Sequence, residues 1–292
     1  MPLKGQNEIP LFLYASYILG NSLRGDTKQQ QWGLSFFCAF PLPFSSSKFR
    51  ETDLCPTGQP ANVTGWIEEE PSLGSYMVAL IKRKQMSCGG TLIKENWVLT
   101  AAHCFPDEET SIIFGAHSRT KKEKGKHMAS ITKAFPYPGF NLKTFENDIM
   151  LLQFQTEEKK VSDVKTIPLT STSDDIKAGT PCVVFGWGTI NKRKGFDALH
   201  GINVTVINRK VCNDKQHYNS QPPVTMNMMC AGDKKGADMC FGDAGSPLIC
   251  HGEQSGILSL VKKCSYHQFP GIYTRLTKDH LSWIMTITND TN

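Results

Sequence analysis

The sequence predicts an all-β fold, either a sandwich or a barrel. Two observations carry this. Short runs of β-branched and aromatic residues recur from Tyr76 onward, and clusters of Gly, Pro, Asn and Asp separate them. A third observation limits the alternatives, because only the C-terminal end has helical spacing.

The predicted strands, in order, are Tyr76–Lys82, Gly90–Ile93, Trp97–Thr100, Ser111–Phe114, Ile149–Phe154, Cys182–Trp187, Ile202–Ile207, Pro247–Cys250 and Gly256–Val261. The segment Lys278–Thr288 places Leu281, Ile284 and Met285 at helical spacing and predicts a terminal helix with those residues on one face.

The first sixty or so residues have a different texture. Leu11–Leu19 and Leu34–Phe44 are apolar but too short to span a bilayer. The first run, with Lys4 before it and Gly20-Asn21-Ser22 after it, has the outline of a signal peptide, although Glu8 and Pro10 interrupt it. Pro41–Lys48 reads as a linker. The expected organisation is therefore an N-terminal extension over residues 1–62, largely disordered, and one domain over residues 63–292.

The chain has 292 residues, a formal net charge of +5 and ten cysteines. No Cys-x-x-Cys pair and no His-Glu-x-x-His motif is present, so neither a metal nor a cofactor is expected. An even set of scattered cysteines points to disulfides and an oxidising compartment. Sequons at Asn62, Asn203 and Asn289 agree with a secreted glycoprotein. The basic clusters Lys82-Arg83-Lys84, Lys121-Lys122, Lys192-Arg193-Lys194, Lys234-Lys235 and Lys262-Lys263 offer sites for acidic proteoglycans; solvated surface is the ordinary explanation of each. No nucleic-acid motif accompanies them.

Three segments carry chemistry. His103 follows the predicted strand that begins at Trp97 and adjoins Cys104, an arrangement that holds an imidazole rigidly enough to act as a base. Asp148 places one carboxylate at the head of the apolar run Ile149–Leu152. Phe241-Gly242-Asp243-Ala244-Gly245-Ser246-Pro247 supplies a glycine turn able to aim backbone amides at one point.

With these segments the chain resembles the trypsin/chymotrypsin family of serine proteases. Cys88-Gly89-Gly90, Thr100-Ala101-Ala102-His103-Cys104, Asn147-Asp148-Ile149, Gly186-Trp187-Gly188 and Pro270-Gly271-Ile272-Tyr273 carry the likeness. Phe114–Ser118, Phe135-Pro136-Tyr137-Pro138 and Arg209–Asp214 place it nearest the granzyme A branch. The resemblance implies two packed six-stranded antiparallel β-barrels with a C-terminal helix and an active site between the barrels. It also implies the disulfides Cys88–Cys104, Cys182–Cys250, Cys212–Cys230 and Cys240–Cys264, a pairing that sequence alone leaves open among roughly a hundred.

The roles implied by the resemblance are specific. His103 is the general base and Asp148 its orienting partner, and the nucleophile position holds Ala244. A methyl group does not attack a carbonyl. Ser246, two residues on, is expected to point elsewhere. The amides of Gly242 and Ala244 form the oxyanion hole, which needs no hydroxyl. Asp238, Ser259, Val261 and Gly271 line the primary pocket, where Asp238 selects Arg or Lys and Val261 narrows the mouth. Val63 is the implied new N-terminus that pairs with Asp243, although Thr64 and Trp66 match poorly. Gly139 stands where relatives of the granzyme A branch carry an inter-chain cysteine, so a monomer is expected.

The expectation is a secreted or granule-stored, granzyme A-like endopeptidase homologue. It would hold a peptide or protein substrate or inhibitor and be catalytically inactive through loss of the serine. The alternatives are a working endopeptidase whose sequence carries an engineered or erroneous Ser-to-Ala change, and a proteoglycan-binding protein with no enzymatic role.

Overall fold

A computed structural model describes residues 67–68, 75–156, 165–190, 194–195, 197–232, 243–262 and 269–289, with 67–68, 189–190 and 194–195 as backbone only. The expected extension over residues 1–62, Asn62, Val63, Asp238, Cys240, Gly242 and Cys264 lie outside the described residues.

Six antiparallel strands close the first barrel: β2 (Met77–Lys82), β3 (Gln85–Lys94), β4 (Trp97–Thr100), β5 (Thr110–Phe114), β6 (His127–Pro136) and β7 (Met150–Gln155). They run around it in the order β2-β3-β4-β7-β6-β5. Closure leaves no open edge. The inward-facing residues, among them Leu80, Leu92, Val98, Ile112, Leu152 and Phe154, form one buried cluster.

The second barrel uses β8 (Pro181–Gly186), β11 (His200–Ile207), β12 (Met228–Gly232), β13 (Pro247–Cys250), β14 (Glu253–Leu260) and β15 (Gly271–Arg275). The order β11-β12-β15-β14-β13-β8 closes through a β8–β11 pairing. The two-residue strand β1 (Ile67–Glu68) adds to β11, and β9 (Thr189–Ile190) pairs with β10 (Lys194–Gly195). Val184, Ile202, Val204, Met229, Leu248 and Leu258 fill this barrel. A short helix α1 spans Arg209–Cys212, and α2 spans Lys278–Asn289. The fold is thus the pair of six-stranded barrels with a terminal helix.

Two differences from the predicted elements have physical causes. Strand β6 has no sequence signature because most of its residues are half-buried or exposed, so apolar alternation is absent. The helix α2 buries His280, Ile284 and Thr288, while Met285 is turned to solvent. His280 is drawn inward by polar partners, which shifts the buried face by about one position from the apolar set. The basic turn Arg83-Lys84, with both residues at positive φ, sits beside acids. Lys82 pairs with Asp107 at 2.5 Å and Arg83 with Glu109 at 2.6 Å, so two of that cluster's three charges are already matched on the surface.

Three disulfides join described residues: Cys88–Cys104, Cys182–Cys250 and Cys212–Cys230. No described helix is long and apolar enough to cross a membrane.

Candidate active site

His103 sits in a single 3-10 turn, Ala102–Cys104, at the end of β4. Its neighbour Cys104 is tied to Cys88 in β3, so the turn is fastened covalently to the barrel wall. The imidazole is about one-fifth exposed, whereas the Asp148 side chain is fully buried.

A buried carboxylate is costly unless its lone pairs are met. Those of Asp148 are. Oδ1 accepts the His103 backbone N–H at 2.9 Å, and Oδ2 faces His103 Nδ1 at 2.6 Å. Oδ2 also accepts the Ser259 hydroxyl at 2.5 Å. The Asp148 carbonyl accepts the Thr274 hydroxyl at 2.9 Å. An ionised carboxylate only accepts, so the His103 proton belongs on Nδ1 and the lone pair is left on Nε2. That is the tautomer a general base requires.

Ser259 comes from the second barrel, through an irregularity in β14. Leu258 pairs with Tyr273 and Leu260 with Ile272, leaving Ser259 as the extra residue of a bulge. Bulges re-aim side chains. This one turns Ser259 onto Asp148, where it is 3% exposed. Ser259 directs its hydroxyl at the carboxylate. Val261 just beyond is half-buried and packs on the second-barrel core. Gly271 lies so close to the Tyr273 ring that a Cβ would come within 2.9 Å of it.

The loop carrying Ala244 is fitted tightly among neighbours. The Ala244 carbonyl accepts the Gly89 N–H at 2.7 Å, and the Gly245 N–H donates to the Leu258 carbonyl at 2.7 Å. Gly245 has φ +89°, and a Cβ there would meet the Gly89 carbonyl and the Thr100 hydroxyl, each at 2.3 Å. Asp243 is fully buried against Gly188, whose missing side chain leaves room for the carboxylate. The Ala244 carbonyl also lies 3.7 Å from Cys104 Sγ, which places the loop beside the histidine turn. Ser246 is fully buried behind the loop. Its hydroxyl has no partner among the described residues and would overlap any Cβ on Gly89.

Two residues close to the His103–Asp148 pair adopt backbone conformations that the sequence does not signal. Phe145, at φ +59°, sets its ring edge-on to His103 at 5.7 Å between centroids. Asn147, at φ +53°, precedes Asp148 and is held by side-chain contacts described below. A positive φ is uncommon for Asn and an outlier for an aromatic residue, and sequence pattern does not disclose it.

Cys88, His103 and Cys104 bring ligand atoms within 4.8 Å of one another, but both sulfurs are spent in one disulfide. Of the sequon asparagines, Asn203 is exposed on β11, and Asn289 is exposed with its side-chain oxygen accepting from Lys94 Nζ at 2.8 Å. Gly139 lies in the Tyr137–Phe140 turn, and its carbonyl accepts from Asn147.

The comparisons with known proteins agree with this architecture. The family model described as Trypsin matches residues 63–284. Granzyme A of Bos taurus is 47% identical over 250 residues, covering 84% of this chain and 96% of its own length. Kallikrein-8 of Homo sapiens is 36% identical over 235 residues, covering 78% and 87% respectively. Among solved structures, neuropsin, a serine protease expressed in the limbic system of mouse brain, superposes with a TM-score of 0.67 at 29% identity. It covers 76% of this chain and 97% of its own.

Proposed function

The chain belongs to the trypsin family of serine proteases, and we propose that it is a granzyme A-like member that holds peptide or protein segments without cleaving them. One observation carries the reading. The base and its orienting carboxylate are assembled, with His103 Nδ1 2.6 Å from Asp148 Oδ2, while the loop packed beside them presents Ala244.

In the family's reaction a serine oxygen attacks the scissile carbonyl as histidine removes its proton. Here His103 is the base and Asp148 orients it and stabilises its protonated form. Ala244 supplies no oxygen and no proton, so no acyl-enzyme forms. Losing the nucleophile alone costs about a millionfold in turnover. An oxyanion hole made by the Gly242 and Ala244 amides would need no hydroxyl, so losing the serine favours occupancy over turnover. Asp238 gives the pocket its preference for Arg or Lys, and Val261 restricts how deeply such a side chain enters. Ser246 is no substitute, since a fully buried hydroxyl does not meet substrate. The three disulfides support an oxidising, secretory setting. Processing that frees Val63 supplies the amine for Asp243.

A serine-directed fluorophosphonate probe tests the reading, applied to the chain processed to begin at Val63. The chain with Ala244 stays unlabelled and the Ala244→Ser version is labelled at residue 244. Labelling of the Ala244 chain at Ser246 or any other cleft residue would overturn it.

A further inference from the structure

Asp148 is held in place by more than the groups that touch it. The residue before it, Asn147, adopts φ +53°, and its backbone carbonyl accepts the Ile149 N–H at 2.9 Å, closing a tight turn around Asp148. The direction of the carboxylate therefore depends on Asn147 keeping this conformation. Three contacts from three separate parts of the chain fix the Asn147 side chain. Its Nδ2 donates to the Gly139 carbonyl at 3.1 Å. Its Oδ1 accepts from Asn227 Nδ2 at 3.2 Å and faces His280 Nε2 at 3.1 Å.

His280 is built into its position. It is 1% exposed in the first turn of α2. With its single proton on Nε2, the tautomer that donates to Asn147, its Nδ1 accepts the Thr277 amide at 3.4 Å and lies 2.9 Å from the Arg275 carbonyl at the end of β15. The Tyr137 ring meets the imidazole edge-on at 4.8 Å, and Trp283 meets Tyr137 at 5.3 Å. Tyr137 belongs to the turn that carries Gly139. The ring thus joins β15, α2 and the 137–140 turn at one point, the side chain of Asn147. A buried polar ring aimed at an asparagine next to the catalytic-type carboxylate has no need of solvent or substrate. Its effect is to transmit the docking of the second barrel and its terminal helix to the geometry of Asp148.

We propose that His280 is a positioning residue for the His103–Asp148 pair, acting through Asn147. The inference rests on the reading of His103 and Asp148 as a base and its orienter. It does not require a nucleophile, a substrate or a processed N-terminus.

The test uses the chain as it stands, with Ala244. The strongly hydrogen-bonded proton on His103 Nδ1 gives a far-downfield proton NMR signal, and its exchange with water reports how well Asp148 is held. In His280→Phe, which keeps a ring against Tyr137 but removes the donor, that proton exchanges about tenfold faster, the factor for losing one ordinary hydrogen bond. His280→Gln, which restores an N–H toward Asn147, returns the exchange toward the original rate. Ile284→Val removes one buried methyl from the same helix and lowers the melting temperature while leaving the exchange unchanged. Should His280→Phe not fold, Asn147→Gly reads the same link without touching the helix, since glycine accepts the positive φ. It too speeds exchange, and adding His280→Gln to it changes nothing further. Unchanged exchange in a folded His280→Phe or Asn147→Gly chain, or equal acceleration by Ile284→Val, overturns the proposal. Failure of the functional reading looks different: the Ala244 chain would turn over substrate, whatever the proton does.

Discussion

The hydroxyl of Ser259 donates to Asp148 Oδ2 at 2.5 Å, the same oxygen that faces His103 Nδ1 at 2.6 Å. The contact spans 111 residues of sequence and joins the two barrels at the carboxylate. Replacing Ser259 by Ala leaves a fully buried carboxylate one donor short. A hydrogen bond to a charged group is worth about 1.5–3 kcal/mol. Urea unfolding of Ser259→Ala should show a loss in that range, and a loss below about 0.5 kcal/mol would mean that the bond contributes little.

Gly245 is expected to tolerate no side chain. At φ +89°, a Cβ would meet the backbone carbonyl of Gly89 and the Thr100 hydroxyl at 2.3 Å. Neither the β3 backbone nor a fully buried threonine moves cheaply. Gly245→Ala should cost more than about 2 kcal/mol through strain and overlap together. A far smaller shift in denaturation midpoint would show that the loop yields.

Ser246 gives the opposite expectation. Its hydroxyl is buried with no partner among the described residues, so removing it relieves an unmet polar group. Ser246→Ala should be neutral or stabilising by up to about 1 kcal/mol, and it should leave any activity of an Ala244→Ser background intact. Loss of that activity would give Ser246 a role that its burial argues against.

Lys126 organises the loop that links β5 to β6. Its ammonium donates to the carbonyls of Ser118 at 3.1 Å, Arg119 at 2.5 Å and Lys121 at 2.9 Å. Lys126→Met keeps the aliphatic stem and removes the donors. The expected result is a loss of about 1–3 kcal/mol and faster limited proteolysis between residues 118 and 126. Unchanged cleavage kinetics would contradict it.

Burial holds the His280 imidazole below its ordinary value of 6.5. The unfolded chain therefore binds a proton there more readily than the folded one, and stability rises with pH through this window. The contribution is complete above about pH 6.5 and is lost as pH falls toward the folded value. The lowered carboxylates behave differently. Asp107, drawn to about 2 by hydrogen bonding with Lys82, and Asp175, lowered by its hydrogen bond with Arg209, stabilise above 3.8 and lose that effect only at lower pH. Between pH 7.5 and 5.5 the unfolding free energy should fall, and His280→Gln should flatten the slope. An identical slope in both chains would remove His280 as its source.

Much of the site is legible in the sequence. His103 and Asp148 each stand in a contiguous motif, and the strand texture from Tyr76 onward announced a β architecture. The missing pieces share a cause. Ser259 meets Asp148 because β14 bulges against β15, and a bulge leaves no mark in an alternating pattern. His280 breaks the apolar face expected of Leu281, Ile284 and Met285 because its partners, the Arg275 carbonyl and Asn147, are supplied by tertiary structure. Strand β6 escaped because its residues face solvent more often than core. Phe145 and Asn147 hold positive φ values that residue type does not encode.

The central claim is that an intact base stands beside an empty nucleophile position. Hydrolysis of a small activated ester tests this most directly, because such a substrate makes no demand on the specificity pocket. The Ala244 and Ala244→Ser chains, each processed to begin at Val63, would be compared at equal concentration. The account predicts background hydrolysis by the Ala244 chain, and a stoichiometric burst followed by turnover from Ala244→Ser that disappears when His103 is also replaced by Ala. Turnover by the Ala244 chain itself, abolished by His103→Ala, would contradict it.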